Sequence, residues 1–164
     1  MIFLCAGVYA EGPTDDRFLC TLLDRFLPLL AHEICRSPVE MGEPGLSRAR
    51  LLHPGLAAAG CVPVRETEAW MLADEDAFRR AFEIERAPEL PRDPEAELDP
   101  KKTLEKTIRD LGAPMRRRGA QDYYALLGAE VDPEALRRLP AFRRFEADLR
   151  AAIAQLDGSS RGGA

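Results

Sequence analysis

The chain has 164 residues, of which 46% are hydrophobic and 31% charged, and its formal net charge at pH 7 is −5. This length and composition predict a single ordinary globular domain, which we place at residues 1–157, with a flexible tail at residues 158–164. The acidic balance gives no global electrostatic reason to expect nucleic acid, and no apolar run approaches the roughly 20 residues that span a bilayer, so we expect a cytoplasmic protein.

The first predicted elements are a strand and a helix that meet at a tight corner. Met1–Tyr9 is a nearly continuous apolar run, which is typical of a buried strand, and apolar residues then recur at helical spacing over residues 15–30. A Gly-Pro pair between the two elements allows the backbone to turn. The corner carries Glu11 and Asp15 at the carboxyl end of the strand, where open α/β sheets commonly bind ligands.

The rest of the pattern predicts one clear further strand and a series of helices. The strand is Cys61–Arg65, whereas His32–Glu40 is a poor strand candidate, and residues 88–100 form a proline-rich acidic loop. The helices are predicted over residues 46–59 (interrupted by Pro54-Gly55), 66–73, 74–82 (as a continuation or a new helix), 101–111, 122–127, 133–139 and 140–156. These elements predict an α/β fold with a small parallel sheet flanked by helices and a helix-rich C-terminal half.

Two pairs of acidic residues are candidates for a cation site. Glu11 and Asp15 lie four residues apart across the turn, so they could share a hard divalent cation such as Mg²⁺. The alternative is that acids at this corner merely complement the dipole of a helix start. Glu66 and Glu68 follow the second strand, and on a strand end both would face one cleft. For this second pair the pattern alone favours the alternative, a charged helix start.

Three other features of the sequence could form sites. Lys101 and Lys102 open a predicted helix, where the dipole disfavours cations, so one of them would meet a phosphate near the acids. The run Arg116-Arg117-Arg118 either contacts phosphates or forms a solvated face. The four cysteines form no Cys-x-x-Cys pair, and we interpret Cys5 and Cys20, which lie in apolar segments, as free thiols that fill the core.

Several segments resemble one known fold in order along the chain. Glu11–Asp15 (E-G-P-T-D) after a hydrophobic strand resembles the first motif of the TOPRIM fold, in particular that of OLD-type nucleases and a related bacterial family of unknown function. Val62–Asp74, Asp99–Leu104 and Pro140–Phe145 resemble that family as well. One departure is clear, because no apolar strand ending in Asp-x-Asp precedes Val62, and Asp74-Glu75-Asp76 follows a helical pattern instead.

The resemblance implies a TOPRIM-like sheet and a Mg²⁺- or Mn²⁺-dependent, nuclease-type cleavage of phosphodiesters, weakened by the missing Asp-x-Asp pair. It implies that Glu11 acts in acid–base chemistry and that Lys102 meets the phosphate. The implied metal ligands are Glu11, Asp15, Glu66 and Glu68. The competing hypothesis is a catalytically inactive module that binds nucleic acid or a protein partner, for instance in defence against phage. A missing core strand would expose strand edges, so we expect a homo-oligomer or a marginally stable monomer.

Overall fold

The computed structural model describes residues 2–4, 13–35, 39–41, 59, 61, 63, 66–111 and 122–161. Its strands are β1 (Ile2–Leu4) and β2 (Val39–Met41). Its α-helices are α1 (Pro13–Cys35), α2 (Glu68–Met71), α3 (Glu75–Phe82), α4 (Pro100–Asp110), α5 (Asp122–Glu130), α6 (Pro133–Leu136) and α7 (Pro140–Arg161). A 3₁₀ turn, Pro94–Ala96, lies between α3 and α4. Helix α7 therefore continues through residues 158–161 of the predicted tail.

The fold is built mainly from helices that pack on one another, so the predicted α/β fold with a TOPRIM-like parallel sheet flanked by helices is wrong. In the described ranges, extended pairing is limited to β1 and β2, which run parallel over three residues each, with Ile2 opposite Val39. Cys61 and Pro63, which lie in the predicted strand 61–65, have no regular structure. The physical reason is that apolar residues beyond position 66 recur at helical spacing and can be buried together only on helices.

Helix α1 supplies a long apolar stripe to the core. Pro13 occupies the start of the helix, where its missing N–H costs nothing, and Asp15 lies in the acidic first turn. The predicted end near Pro28 is passed, because the helix continues to Cys35 with Leu30 still fully buried. The carbonyl that Pro28 leaves without a helical donor belongs to the exposed Asp24, so water can satisfy it. The buried stripe consists of Phe18, Leu19, Leu22, Leu23, Phe26, Leu27, Leu30, Ala31 and Cys35.

Helix α5 lies unusually close to α1 at one point. A Cβ atom on Gly128 would lie 2.5 Å from the carbonyl oxygen of Phe18, so only glycine permits this separation of the two helices. The guanidinium of Arg25 then donates to the carbonyl oxygens of Gly128 (3.3 Å) and Val131 (3.2 Å), which satisfies acceptors at the C-terminal end of α5. These contacts fix α5 against α1.

Helix α7 runs in the same direction as α1 and packs against α1 and α2. The rings of Phe26 and Phe142 have centroids 5.5 Å apart, and further along both helices Arg150 forms an ion pair of 2.8 Å with Glu33. Trp70 of α2 is fully buried against α7, with ring centroids 5.2 Å from Phe142. The buried residues of α1 to α7 form one contiguous core. None of the described helices is long and apolar enough to cross a bilayer.

The junction between α2 and α3 is tied to the end of α5 by one buried carboxylate. Asp74 caps α3 by accepting from the backbone N–H of Asp76 at 3.0 Å. Its other oxygen accepts from the backbone N–H of Asp132 at 3.0 Å and from the guanidinium of Arg80 at 3.2 Å. Asp74, Glu75 and Asp76 therefore form the start of helix α3, as the sequence pattern predicted. The same bonds set the position of α5 relative to α2.

Candidate functional site

The predicted acidic pair at residues 66 and 68 lies at the start of α2. Glu68 is the first residue of this helix, and the backbone there is not extended, so the charged helix start is the interpretation that the structure supports. Glu66 is half-buried, and Glu68 is only 4% exposed. The two side chains accept hydrogen bonds from different helices, Glu66 from α4 and Glu68 from α5.

The carboxylate of Glu66 joins the start of α2 to the start of α4. Its Oε2 accepts from the backbone N–H of Lys101 at 3.1 Å, and Oδ1 of Asp99 accepts from the backbone N–H of Lys102 at 2.9 Å. Pro100, the first residue of α4, has no N–H to satisfy. The early amides of α4 are thus occupied by carboxylates of the protein. These two carboxylates also offset the unfavourable effect of lysines at the positive end of a helix.

Glu68 is the most buried carboxyl group of the acidic residues at this site. The hydroxyl of Tyr124, on α5, donates to its Oε1 at 3.3 Å, and Tyr124 is itself only 3% exposed. Burial raises the pKa of Glu68 above the ordinary glutamate value. A hydrogen bond from the backbone N–H of Glu68 lowers this pKa, the charges of Glu66 and Asp15 raise it, and the charge of Lys101 lowers it.

Asp15 approaches this region from the first turn of α1. Its charge acts on Glu68 and also on Cys61, where burial first and Asp15 second raise the pKa of the thiol to about 12. Cys61 is therefore a protonated thiol at neutral pH and a poor nucleophile or metal ligand. We call Asp15, Glu66 and Glu68 the acidic cluster. Asp15 comes from α1, whereas Glu66 and Glu68 come from the start of α2, and the charges of Asp15 and Glu66 both act on Glu68.

The structure places the other predicted site residues differently. Glu11 and the run Arg116–Arg118 lie outside the described residues. Lys102 is exposed, and the lysine whose charge acts on Glu68 is its neighbour Lys101. Sequence reasoning missed Tyr124, and the only available signal was that a tyrosine on the apolar side of a helix needs a partner for its hydroxyl.

The donor set of the acidic cluster suits a hard divalent cation. In the part of the chain that the structure describes, no group of three or more His, Cys, Asp or Glu side chains is placed to hold a metal ion. Mg²⁺, however, retains much of its water and is commonly bound by only one or two carboxylates. The acidic cluster is therefore not an enclosed metal site, and carboxylate oxygens are the only ligands that it offers to a hydrated Mg²⁺ or Mn²⁺ ion.

A family model described as "Domain of unknown function (DUF4276)" matches residues 57–150, which is more than half of the chain. The chain belongs to this family. The DUF4276 segment contains Glu66, Glu68, Lys101 and Tyr124, whereas Asp15 lies before it. The predicted membership in a family of unknown function is confirmed, and none of the comparisons supports a relationship to TOPRIM proteins. The comparisons with curated proteins and with solved structures found no match.

Proposed function

We propose that this DUF4276 protein cleaves phosphodiesters weakly, with the help of a divalent cation held at the acidic cluster. The observation that carries the proposal is the placement of the acids, since Asp15 lies in the first turn of α1, Glu68 begins α2, and the negative charges of Asp15 and Glu66 both act on the buried Glu68. The likeness of Glu11–Asp15 to the first motif of OLD-type nucleases also supports it.

The chemistry of the cluster suits a cation. Bringing carboxylates together around a buried carboxyl group is unfavourable unless that group is protonated or positive charge is supplied. Asp15 and Glu68 would hold the ion together with water, and Glu66 and the predicted ligand Glu11 would add further negative charge. Such an ion stabilises the charge that develops on the phosphoryl oxygens during cleavage. Lys101, whose charge already acts on Glu68, would attract the phosphate of the substrate.

A second candidate function is a catalytically inactive module that binds nucleic acid or a protein partner. The observation that favours it is the occupation of the carboxylates, since Glu66 accepts from the amide of Lys101 and Glu68 accepts from Tyr124. These bonds give both acids a structural role and leave fewer oxygen lone pairs for a catalytic ion. Under this hypothesis the acidic cluster positions α4 and α5, and cation binding serves stability or partner recognition.

The test is a cleavage assay in Mn²⁺ and Mg²⁺ with plasmid DNA, single-stranded DNA and an activated small phosphodiester. We expect slow, metal-dependent turnover that is lost in Glu68→Gln and in Asp15→Asn. Glu105→Gln is the matched control, because Glu105 is exposed on α4 and should have no effect. Turnover that persists in Glu68→Gln would contradict the proposal. Cation binding without any turnover would instead favour the inactive module.

A further inference from the structure

The junction between α6 and α7 concentrates positive charge in an otherwise acidic chain. Residues 134–144 contain four arginines and one acid, Glu134, although the whole chain has a formal net charge of −5. Two of these arginines, Arg138 and Arg143, have exposed side chains on either side of the start of α7, and we call them the arginine corner. A local basic surface of this kind can bind a polyanion even when the net charge of the protein is negative.

Backbone carbonyl groups hold both guanidinium groups of the arginine corner. Nε and Nη2 of Arg138 donate to the carbonyl oxygens of Ala135 (3.2 Å) and Ala73 (2.7 Å). Nη1 of Arg143 donates to the carbonyl oxygens of Arg137 (3.0 Å) and Arg138 (3.1 Å). These acceptors are uncharged, so the bonds orient the two guanidinium groups without neutralising them. Side chains that are ordered before a ligand arrives lose less conformational entropy when it binds.

The acids near the arginine corner have other partners. Glu134 and Glu146 form ion pairs with Arg137, and Glu95 accepts from the backbone N–H of Ala141 at 3.1 Å. Within the ranges that the structure describes, no ion pair involves either residue of the arginine corner. The positive charges of the corner are therefore not used in a salt bridge with these acids.

Capping of α6 is the simpler explanation of these bonds, but it is incomplete. The carbonyl groups at the C-terminal end of a helix lack helical donors, and arginine side chains commonly satisfy them. Water could do the same at an exposed turn without the cost of ordering two long side chains. Capping also does not explain why Arg143 lies in the first turn of α7, where the helix dipole favours anions and disfavours a cation.

We propose that the arginine corner binds the phosphodiester backbone of nucleic acid. A guanidinium group has five N–H donors, and its planar edge matches two oxygens of one phosphate. The carbonyl groups occupy only Nη1 of Arg143, so its edge formed by Nε and Nη2 can bind a phosphate in this way. Nη1 of Arg138 can donate to a second phosphate, since the carbonyl groups occupy its Nε and Nη2. The choice of phosphodiesters as the ligand rests on the proposed function, whereas the binding itself requires no cation.

The experiment measures binding of a fluorescently labelled single-stranded DNA oligonucleotide by anisotropy, in EDTA and at low salt, so that cleavage plays no part. Arg138→Gln and Arg143→Gln should each weaken the affinity by about 10-fold, because each loses a charge-assisted contact. The slope of log affinity against log salt concentration should become shallower by about 0.7 for each phosphate contact that is lost. The matched control is Arg109→Gln, which removes an exposed cation from α4 and should bind nearly as the wild type does.

Arg143→Lys distinguishes an oriented contact from general attraction between charges. Lysine keeps the positive charge but lacks the planar edge, so the variant should bind more weakly than the wild type. Wild-type affinity in Arg143→Lys would overturn the inference, and so would a loss in Arg109→Gln as large as those at the corner. Thermal unfolding establishes that each variant is folded at the assay temperature, and Arg143→Lys carries the test if Arg143→Gln is not.

The outcomes distinguish this inference from the proposed function. A wild-type protein that does not bind the oligonucleotide would overturn the inference, even if it cleaved the small phosphodiester. Binding that the corner variants weaken, without any cleavage by the wild type, would support the inference and contradict the proposed function. Competition by a poly-aspartate peptide as strong as that by unlabelled DNA of equal charge would indicate a general anion surface and overturn the assignment to nucleic acid.

Discussion

An alanine at position 128 would bring a methyl group into the backbone of α1. Its Cβ would lie 2.5 Å from the carbonyl oxygen of Phe18 and 3.2 Å from Cβ of Thr21, whereas ordinary contacts begin near 3.4 Å. Relieving the overlap requires α5 to move away from α1 by about 0.5–1 Å, and a gap of that size forfeits a quarter to a half of each dispersion contact across the interface. Gly128→Ala should therefore open the closest contact between the two helices.

The expected loss of stability follows from two opposing effects. Overpacking of this kind costs about 1–3 kcal/mol, and the better helix propensity of alanine returns about 1 kcal/mol. The net change is a loss of at most about 2 kcal/mol, which corresponds to a decrease in Tm of up to about 8 °C for a domain of this size. Differential scanning calorimetry measures the shift, and Ala151→Gly on the exposed side of α7 calibrates the propensity contribution alone. A Gly128→Ala protein that is stabilised by the full propensity gain, as calibrated by Ala151→Gly, would refute the close packing of α5 on α1.

Three further predictions concern buried carboxylates. The pKa of Glu68 is raised in the folded state, so the wild type loses stability as pH rises from the ordinary glutamate pKa through the raised one. Thermal melts over this pH window should therefore show Glu68→Gln gaining stability relative to the wild type. Burial opposes ionisation of Glu146, but hydrogen bonds from two arginines outweigh it and lower the pKa. Its stabilising effect is therefore present above the ordinary glutamate pKa, and the deficit of Glu146→Gln should vanish as acid melts pass below the lowered value. Glu95 accepts from the backbone N–H of Ala141 at 3.1 Å, so Glu95→Ala should lose about 1 kcal/mol in urea unfolding, whereas Glu95→Gln should lose less.

The helices could be predicted from the sequence because their signals are local. Apolar spacing and capping residues identify α1 to α7, and the Asp99-Pro100 pair marks the start of α4 to within one residue. The continuation of α1 beyond Pro28 could not be predicted from helix propensity, because it depends on the burial of the residues that follow Pro28. The parallel sheet was predicted from a short apolar run and from the TOPRIM resemblance. Short apolar runs do not distinguish strands from other buried segments.

The candidate site could be predicted only in part. Motif position singled out Asp15, Glu66 and Glu68 as residues of one site, which stays a prediction, and the strand geometry assumed for the last two was wrong because Glu68 begins a helix. The partner of Glu68 could not be predicted, because Tyr124 approaches it only through the packing of α5 on α1 and the bonds of Asp74. Contacts between residues distant in sequence depend on tertiary packing, and one sequence contains no direct signal for them.

The most direct test of the acidic cluster is a pH titration of the Glu68 carboxyl carbon by ¹³C NMR, with the resonance assigned by its loss in Glu68→Gln. The cluster predicts a pKa above the ordinary glutamate range in the wild type. This pKa should fall in Asp15→Asn, because a repelling charge is removed, and it should fall in the wild type when Mg²⁺ is added. A Glu68 pKa in the ordinary range, unchanged by Asp15→Asn and by Mg²⁺, would contradict the existence of one coupled site.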